Sequence, residues 1–209
     1  MMKAIFNKIN AIIALPIFGV AASLAVYTYN QHEEEHKKKV TTIEEKLKLF
    51  YYPLQAQLAA SNNEWKAFRS KFGVGRKSYF ASGPIVINGK TRFLRDCAPG
   101  EDWVIDKRCI VSDTEIEAWV THISAQFHGS RGKVEDIILN NRMLIKDDKE
   151  VIDGVDLLML HITGYRDVVK RWETGDRSVM VSHVNFPGRL TQVIDNRIEK
   201  LEEELKSLK

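Results

Sequence analysis

The sequence predicts a mainly α-helical protein: an N-terminal transmembrane helix followed by a helical bundle with a small β-hairpin insertion. Three observations carry this. Ala11–Tyr29 holds no charged residue. Beyond residue 40, apolar residues recur at three- and four-residue intervals, the period of an amphipathic helix. One stretch, 73–113, gathers glycines and prolines around a short apolar run that reads as a hairpin.

The apolar run comes first in the chain. Its 19 residues, at about 1.5 Å of rise each, nearly match a hydrocarbon core of about 30 Å. A helix is the form expected there, because lipid offers the backbone no hydrogen-bond partner. Pro16 removes one such bond and is expected to kink the segment. Tyr27 and Tyr29 fall where aromatic rings favour the interface. The rival reading is a signal peptide, with Lys3 and Lys8 as its basic start and Ser23-Leu24-Ala25 as its small-x-small cleavage site. Because the apolar run continues past that site to Tyr29, residues 1–30 are read as an anchor. Lys37, Lys38 and Lys39 beyond it outweigh Lys3 and Lys8 before it. The lysine balance therefore places the soluble domain in the cytoplasm, with the periplasm as the alternative.

Charge excludes one class of partner. The first 30 residues hold two of the 31 basic residues and none of the 28 acidic ones, which leaves the remainder at +1. A nearly neutral domain gives no electrostatic case for nucleic acid. Cys97 and Cys109 form no C-x-x-C pair, so zinc-ribbon and thioredoxin-like readings fall away. They suit free thiols in the cytosol or a disulfide outside it.

Residues 31–40, QHEEEHKKKV, read as a charged, solvated juxtamembrane linker or helix start. The helical domain is placed at 41–196. Thr42-Ile43-Glu44-Glu45 reads as a capping box opening its first helix. Ile43, Leu47, Phe50, Leu54 and Leu58 then share one face. Pro53 is expected to kink that helix, and Asn62-Asn63 to joint it to a second one over Glu64–Phe72 with Trp65, Phe68 and Phe72 on one face. Within 73–113, Ile85-Val86-Ile87, Asn88-Gly89 and Thr91–Leu94 suggest a hairpin with a type I′ turn. Gly73-Val74-Gly75-Arg76-Lys77-Ser78 lacks phosphate-loop spacing and reads as a turn.

Ser112-Asp113-Thr114-Glu115 is a second capping box. Ile116, Trp119, Val120, Ile123 and Phe127 follow as one stripe, ended by His128–Gly132. Val134–Leu144 reads as a short helix bearing Ile137, Ile138 and Met143. Asp153–Trp172 reads as a longer one, with Val155, Leu158, Met159, Ile162, Val169 and Trp172 inward. Gly164 inside it weakens the helix unless a neighbour packs close. After a loop at Gly175–Gly188, residues 190–209 form an amphipathic helix. Ile194, Ile198, Leu201, Leu205 and Leu208 follow coiled-coil spacing, which suits either docking on the bundle or pairing between chains.

No catalytic, cofactor-binding or metal-binding residue is assigned. His122, His161 and His183 lie in the helical half, with no H-x-x-x-H spacing among them and no ligand register with Asp156, Asp167 or Asp176. Structural histidines are the reading adopted. Ser178, Ser182 and His183 share a loop without a nucleophile-elbow pattern. Trp65, Trp119 and Trp172 read as core anchors.

Phe50-Tyr51-Tyr52-Pro53-Leu54, Trp119-x-x-His122, Glu135-x-Ile137-Ile138-x-Asn140, His161-x-x-x-Tyr165 to Trp172, and Asn185-Phe186-Pro187 occur in that order. Across Leu47–Asn196, apart from 73–113, the chain resembles a family of uncharacterised bacterial membrane-anchored proteins with a helical domain. The resemblance implies architecture and names no activity. The expectation is a single-pass protein of the bacterial inner membrane, contacting the lipid bilayer and acting without a cofactor as an interaction module. Its partner is another protein or a second copy. Alternatives are a membrane-linked stress or phage-defence effector and a metal-dependent hydrolase around the three histidines.

Overall fold

Helix dominates from residue 26 onward, as the apolar period requires. The computed structural model describes residues 26–71, 84–87, 89–94, 110–129 and 131–209. Ala11–Ala25 of the predicted anchor, Phe72–Gly83 and the segment with Cys97 and Cys109 lie outside the described residues. Among the described residues no helix is long and apolar enough to cross a membrane. The chain divides into two units, one of Met1–Glu45 with Leu201–Lys209 and one of Lys46–Lys200.

In the first unit, α1 spans 26–45. It is already helical where the charged linker was expected, and its side chains are exposed through Lys39. Bonds along its own surface support it. Gln31 Nε2 donates to Tyr27 Oη at 3.0 Å, and Lys37 Nζ meets Glu33 at 2.6 Å. These are i,i+4 pairs, the spacing that brings helix side chains together. Thr42 is no cap. It lies inside the helix and its hydroxyl donates back to the Lys38 carbonyl at 2.8 Å. The preceding residues supply the backbone partners that a helix start would lack, so the box at Thr42–Glu45 has no orphan donors to satisfy. Lys39 pairs with Glu204 at 2.9 Å and Lys209 with Glu44 at 2.9 Å. Ile43 and Leu201 are buried.

The second unit opens on a π-helical turn, Lys46–Tyr51, which runs directly into α2, Tyr52–Lys71. Pro53 has no N–H to donate. The wider turn just before it is how the helix passes the proline, where the sequence predicted an interruption. Asn62-Asn63 makes no joint, because α2 continues through it. The expected face holds: Leu47, Phe50, Leu54 and Leu58 are buried, and Tyr51 joins them.

Strands β1, Ile85–Ile87, and β2, Lys90–Arg92, pair antiparallel with Val86 opposite Thr91. Gly89 between them takes φ 74°, the left-handed conformation a tight hairpin needs. The hairpin is stapled to the core just after β2. Phe93 accepts the Val111 N–H at 2.9 Å, Leu94 bridges Ile110, and Phe93 and Val111 are buried.

Helix α3, Asp113–Gly129, starts on a true capping box. The Glu115 N–H donates to Ser112 Oγ at 3.2 Å and the Ser112 N–H to Glu115 Oε2 at 2.9 Å. Helix α4, Arg131–Asn141, ends in a 3-10 turn, Arg142–Ile145. This tightening turns Ile145 inward and leaves Met143 exposed. Helix α5, Lys149–Glu173, starts four residues before the predicted point because Asp148 caps it, accepting the Val151 N–H at 3.3 Å. Helix α6, Leu190–Ser207, closes the chain. Its Ile194, Ile198 and Leu201 are buried within the single chain, which favours docking over an intermolecular coil.

The core of this unit joins α2, α3, α5 and the loop after α5. Phe68, Trp119, Val120, Ile123, Val168, Val169, Trp172 and Met180 are buried together with Phe93 and Val111.

Candidate functional site

The predicted histidines come first. His122 on α3 stacks on Phe68, ring centroids 4.5 Å apart. Gln126 Nε2 donates to His122 Nε2 at 3.1 Å and to Glu64 Oε2 at 3.2 Å. An amide nitrogen only donates, so His122 Nε2 is the acceptor here. His161 on α5 is buried, with Nδ1 donating to the Val184 carbonyl at 2.7 Å. A carbonyl only accepts, so Nδ1 carries the proton. Tyr165 and Phe186 meet its ring edge to face at 5.0 and 5.6 Å. His183 is exposed in the loop near Gly164. Among the described residues no three of His, Cys, Asp and Glu gather in a way that could hold a metal. His122 and His161 each pack against aromatic rings and make a hydrogen bond through a ring nitrogen.

The loop that carries His183 is tied down at many points. It leaves α5 through a Schellman motif: the Asp176 N–H donates to the Arg171 carbonyl and the Gly175 N–H to Trp172, both at 3.0 Å. Trp119 Nε1 donates to the Met180 carbonyl and Trp172 Nε1 to Val179, each at 2.8 Å. Ser182 Oγ accepts the Val184 N–H at 3.1 Å. Gly164 meets the condition set by the sequence, because a Cβ there would lie 2.3 Å from Ser182 Oγ. The helix gives up a side chain so that the loop can lie against it.

At the other end of α5, Asp148 joins three elements. Besides capping α5, it accepts from the Tyr51 hydroxyl at 3.3 Å and pairs with Arg197 of α6. Tyr51 is buried, and burial together with the nearby Asp148 charge pushes its phenol well above the ordinary range. This cluster is a structural clasp: a neutral phenol and a paired carboxylate hold helix ends in place.

Several large apolar side chains on α4, α5 and the loop after α5 are exposed. On α4 and its 3-10 turn, Leu139 and Met143 are 63% and 74% exposed; on α5, Leu157 and Leu160 are 49% and 56% exposed. Two ion pairs set the register of the two helices. Arg142 pairs with Asp156 at 2.6 Å and Arg166 with Glu135 at 2.5 Å, so the helices run antiparallel. Leu139 lies between Glu135 and Arg142, and Leu160 between Asp156 and Arg166. Leu157 is one turn before His161, whose ring touches Phe186, itself 43% exposed. Leu139 and Met143, Leu157 and Leu160, and Phe186 are thus exposed apolar residues carried by α4 with its 3-10 turn, by α5 and by the loop, and the four on the two paired helices are taken together as the α4–α5 band. Such a patch on a polar surface marks an interaction site more often than a lone exposed leucine does. The sequence showed Leu139, Leu157 and Leu160 only as positions off the inward stripe; what gathers them is the pairing of α4 with α5.

No family model, characterised protein or solved structure matches the chain.

Proposed function

We propose that this chain is a non-enzymatic interaction module, held at a membrane by the apolar run Ala11–Tyr29 and docking a protein partner or a second copy through the α4–α5 band. The exposed band of Leu139, Met143, Leu157 and Leu160, framed by two ion pairs, is the observation that supports it. Apolar area of this kind contributes about 25 cal/mol per Å² when covered, while the flanking charges fix orientation. The polar outer turns of α1 suit a water-exposed spacer between anchor and module.

The test compares the full chain with Leu139→Gln plus Leu160→Gln, reconstituted in liposomes and cross-linked. Both positions are exposed, so stability should change by no more than about 0.5 kcal/mol each. Cross-linked product, to itself or to a partner in native membranes, should fall sharply. Unchanged cross-linking with an intact fold would remove the band from the mechanism.

A further inference from the structure

The run 31–40, read from sequence as a linker or helix start, has a property that depends on its helical form. His32 and His36 are four residues apart in α1, and both side chains are exposed. In a helix, side chains at i and i+4 stand on one face with Cβ atoms about 5–6 Å apart. Two imidazoles so placed reach one cation at the usual Zn–N distance of about 2.0–2.1 Å. This is the geometry by which H-E-x-x-H helices hold zinc.

We propose that His32 and His36 form a two-imidazole chelate for a borderline divalent transition cation, Zn²⁺ in the first instance. Imidazole pairs suit Zn²⁺, Ni²⁺ and Cu²⁺ and leave Mg²⁺ and Ca²⁺ to oxygen ligands. The run around the pair is charge-balanced, with Glu33, Glu34 and Glu35 followed by Lys37, Lys38 and Lys39, so the two imidazoles and not the local charge carry the site. Glu33, Glu34 and Glu35 lie between the two histidines. Lys37, the nearest ammonium in sequence, is neutralised by Glu33 at 2.6 Å. Lys39, one turn beyond His36 on the same face, is drawn to Glu204 at 2.9 Å. Tyr29, one turn before His32, completes that face. The helix is fixed before the metal arrives, so binding does not have to order the backbone.

Two protein ligands are what the described residues supply. A catalytic zinc takes three protein ligands and a water, and no third ligand gathers among the described residues. Water, or the same pair from a second copy, completes the coordination. This inference is independent of the α4–α5 band.

The experiment is calorimetric titration of ZnCl₂ into the full chain in detergent, stripped of metal beforehand and with its cysteines alkylated. Saturable binding is expected, with one Zn²⁺ per chain for the chelate alone or one per two chains where a second copy closes it. His32→Ala and His36→Ala should each weaken it by at least about tenfold, since even outer-shell partners of a metal contribute that much. A composition control is Glu34→His with His36→Glu, which keeps two histidines but moves them to i,i+2, on different faces; it should bind as weakly as the alanine variants. Melting curves of all variants should superimpose without metal, because both positions are exposed. No saturable binding, binding that survives both alanines, or full binding by the i,i+2 variant would each overturn the proposal.

Discussion

At the scale of single residues, two contacts are sharp enough to predict. Alanine at Gly164 would favour the helix by about 1 kcal/mol. Its Cβ would also lie 2.3 Å from Ser182 Oγ, which is held by the Val184 N–H. Overpacking of that kind costs about 1–3 kcal/mol, so Gly164→Ala should destabilise on balance. In a Ser182→Ala background the oxygen is gone, and the same change should be neutral or stabilising. Denaturant midpoints for the four proteins decide it; equal effects in both backgrounds would mean that this approach does not require the glycine. Tyr51 gives a pH prediction. Burial raises its folded value above the unfolded one. Stability that rests on the neutral phenol is therefore complete below about pH 10 and is lost as pH rises beyond it. Tyr51→Phe should lose about 1 kcal/mol at neutral pH, where its hydrogen bond to Asp148 is missing. It should lose less than the parent on further alkalinisation, and melts from neutral to alkaline pH would show whether the curves converge.

At the scale of elements, caps and buried stripes set the cost of each change. Ser112→Ala removes one half of the reciprocal cap on α3 and should cost about 1 kcal/mol. Thr42→Ala, in the box that proved to be mid-helix, should be neutral or slightly stabilising; a loss equal to that of Ser112→Ala would contradict the placement of α1. Ile194→Ala on α6 should cost about 2–5 kcal/mol, because the side chain is fully buried inside one chain. What the sequence revealed follows the same physics. The inward residues of α2, α3, α5 and α6 were legible because burial imposes a period. The hairpin and the α3 cap were legible because Gly89 and Ser112–Glu115 have local signatures. At 31–40 the sequence left linker and helix start both open, because a helix exposed all round carries no apolar period. The extent of α2 was not legible: Pro53 reads as a break, but the π turn Lys46–Tyr51 carries the helix past it. The Asp148 clasp and the α4–α5 band draw residues from distant parts of the chain, so no window of sequence contains them.

At the scale of the whole molecule, membrane attachment and domain folding should separate. Nothing among the described residues is long and apolar enough to span a bilayer, so attachment in the proposed reading rests on Ala11–Tyr29. Beyond the anchor, residues 30–39 are exposed and, at about 1.5 Å per residue, extend about 15 Å. With Glu33–Glu35 and Lys37–Lys39 along it, that length is too polar to enter hydrocarbon, where each charge costs about 2.5–3.5 kcal/mol at the centre. The full chain should therefore float with liposomes, and the chain from residue 31 onward should remain in the dense fraction. Among the described residues the buried core lies after residue 40, so both should melt at nearly the same temperature. Flotation of the shortened chain would transfer attachment to an exposed surface, with the α4–α5 band as the first suspect. Leu139→Gln with Leu160→Gln in the shortened chain then discriminates: loss of flotation would make the band a lipid-facing surface, and retention would exclude it.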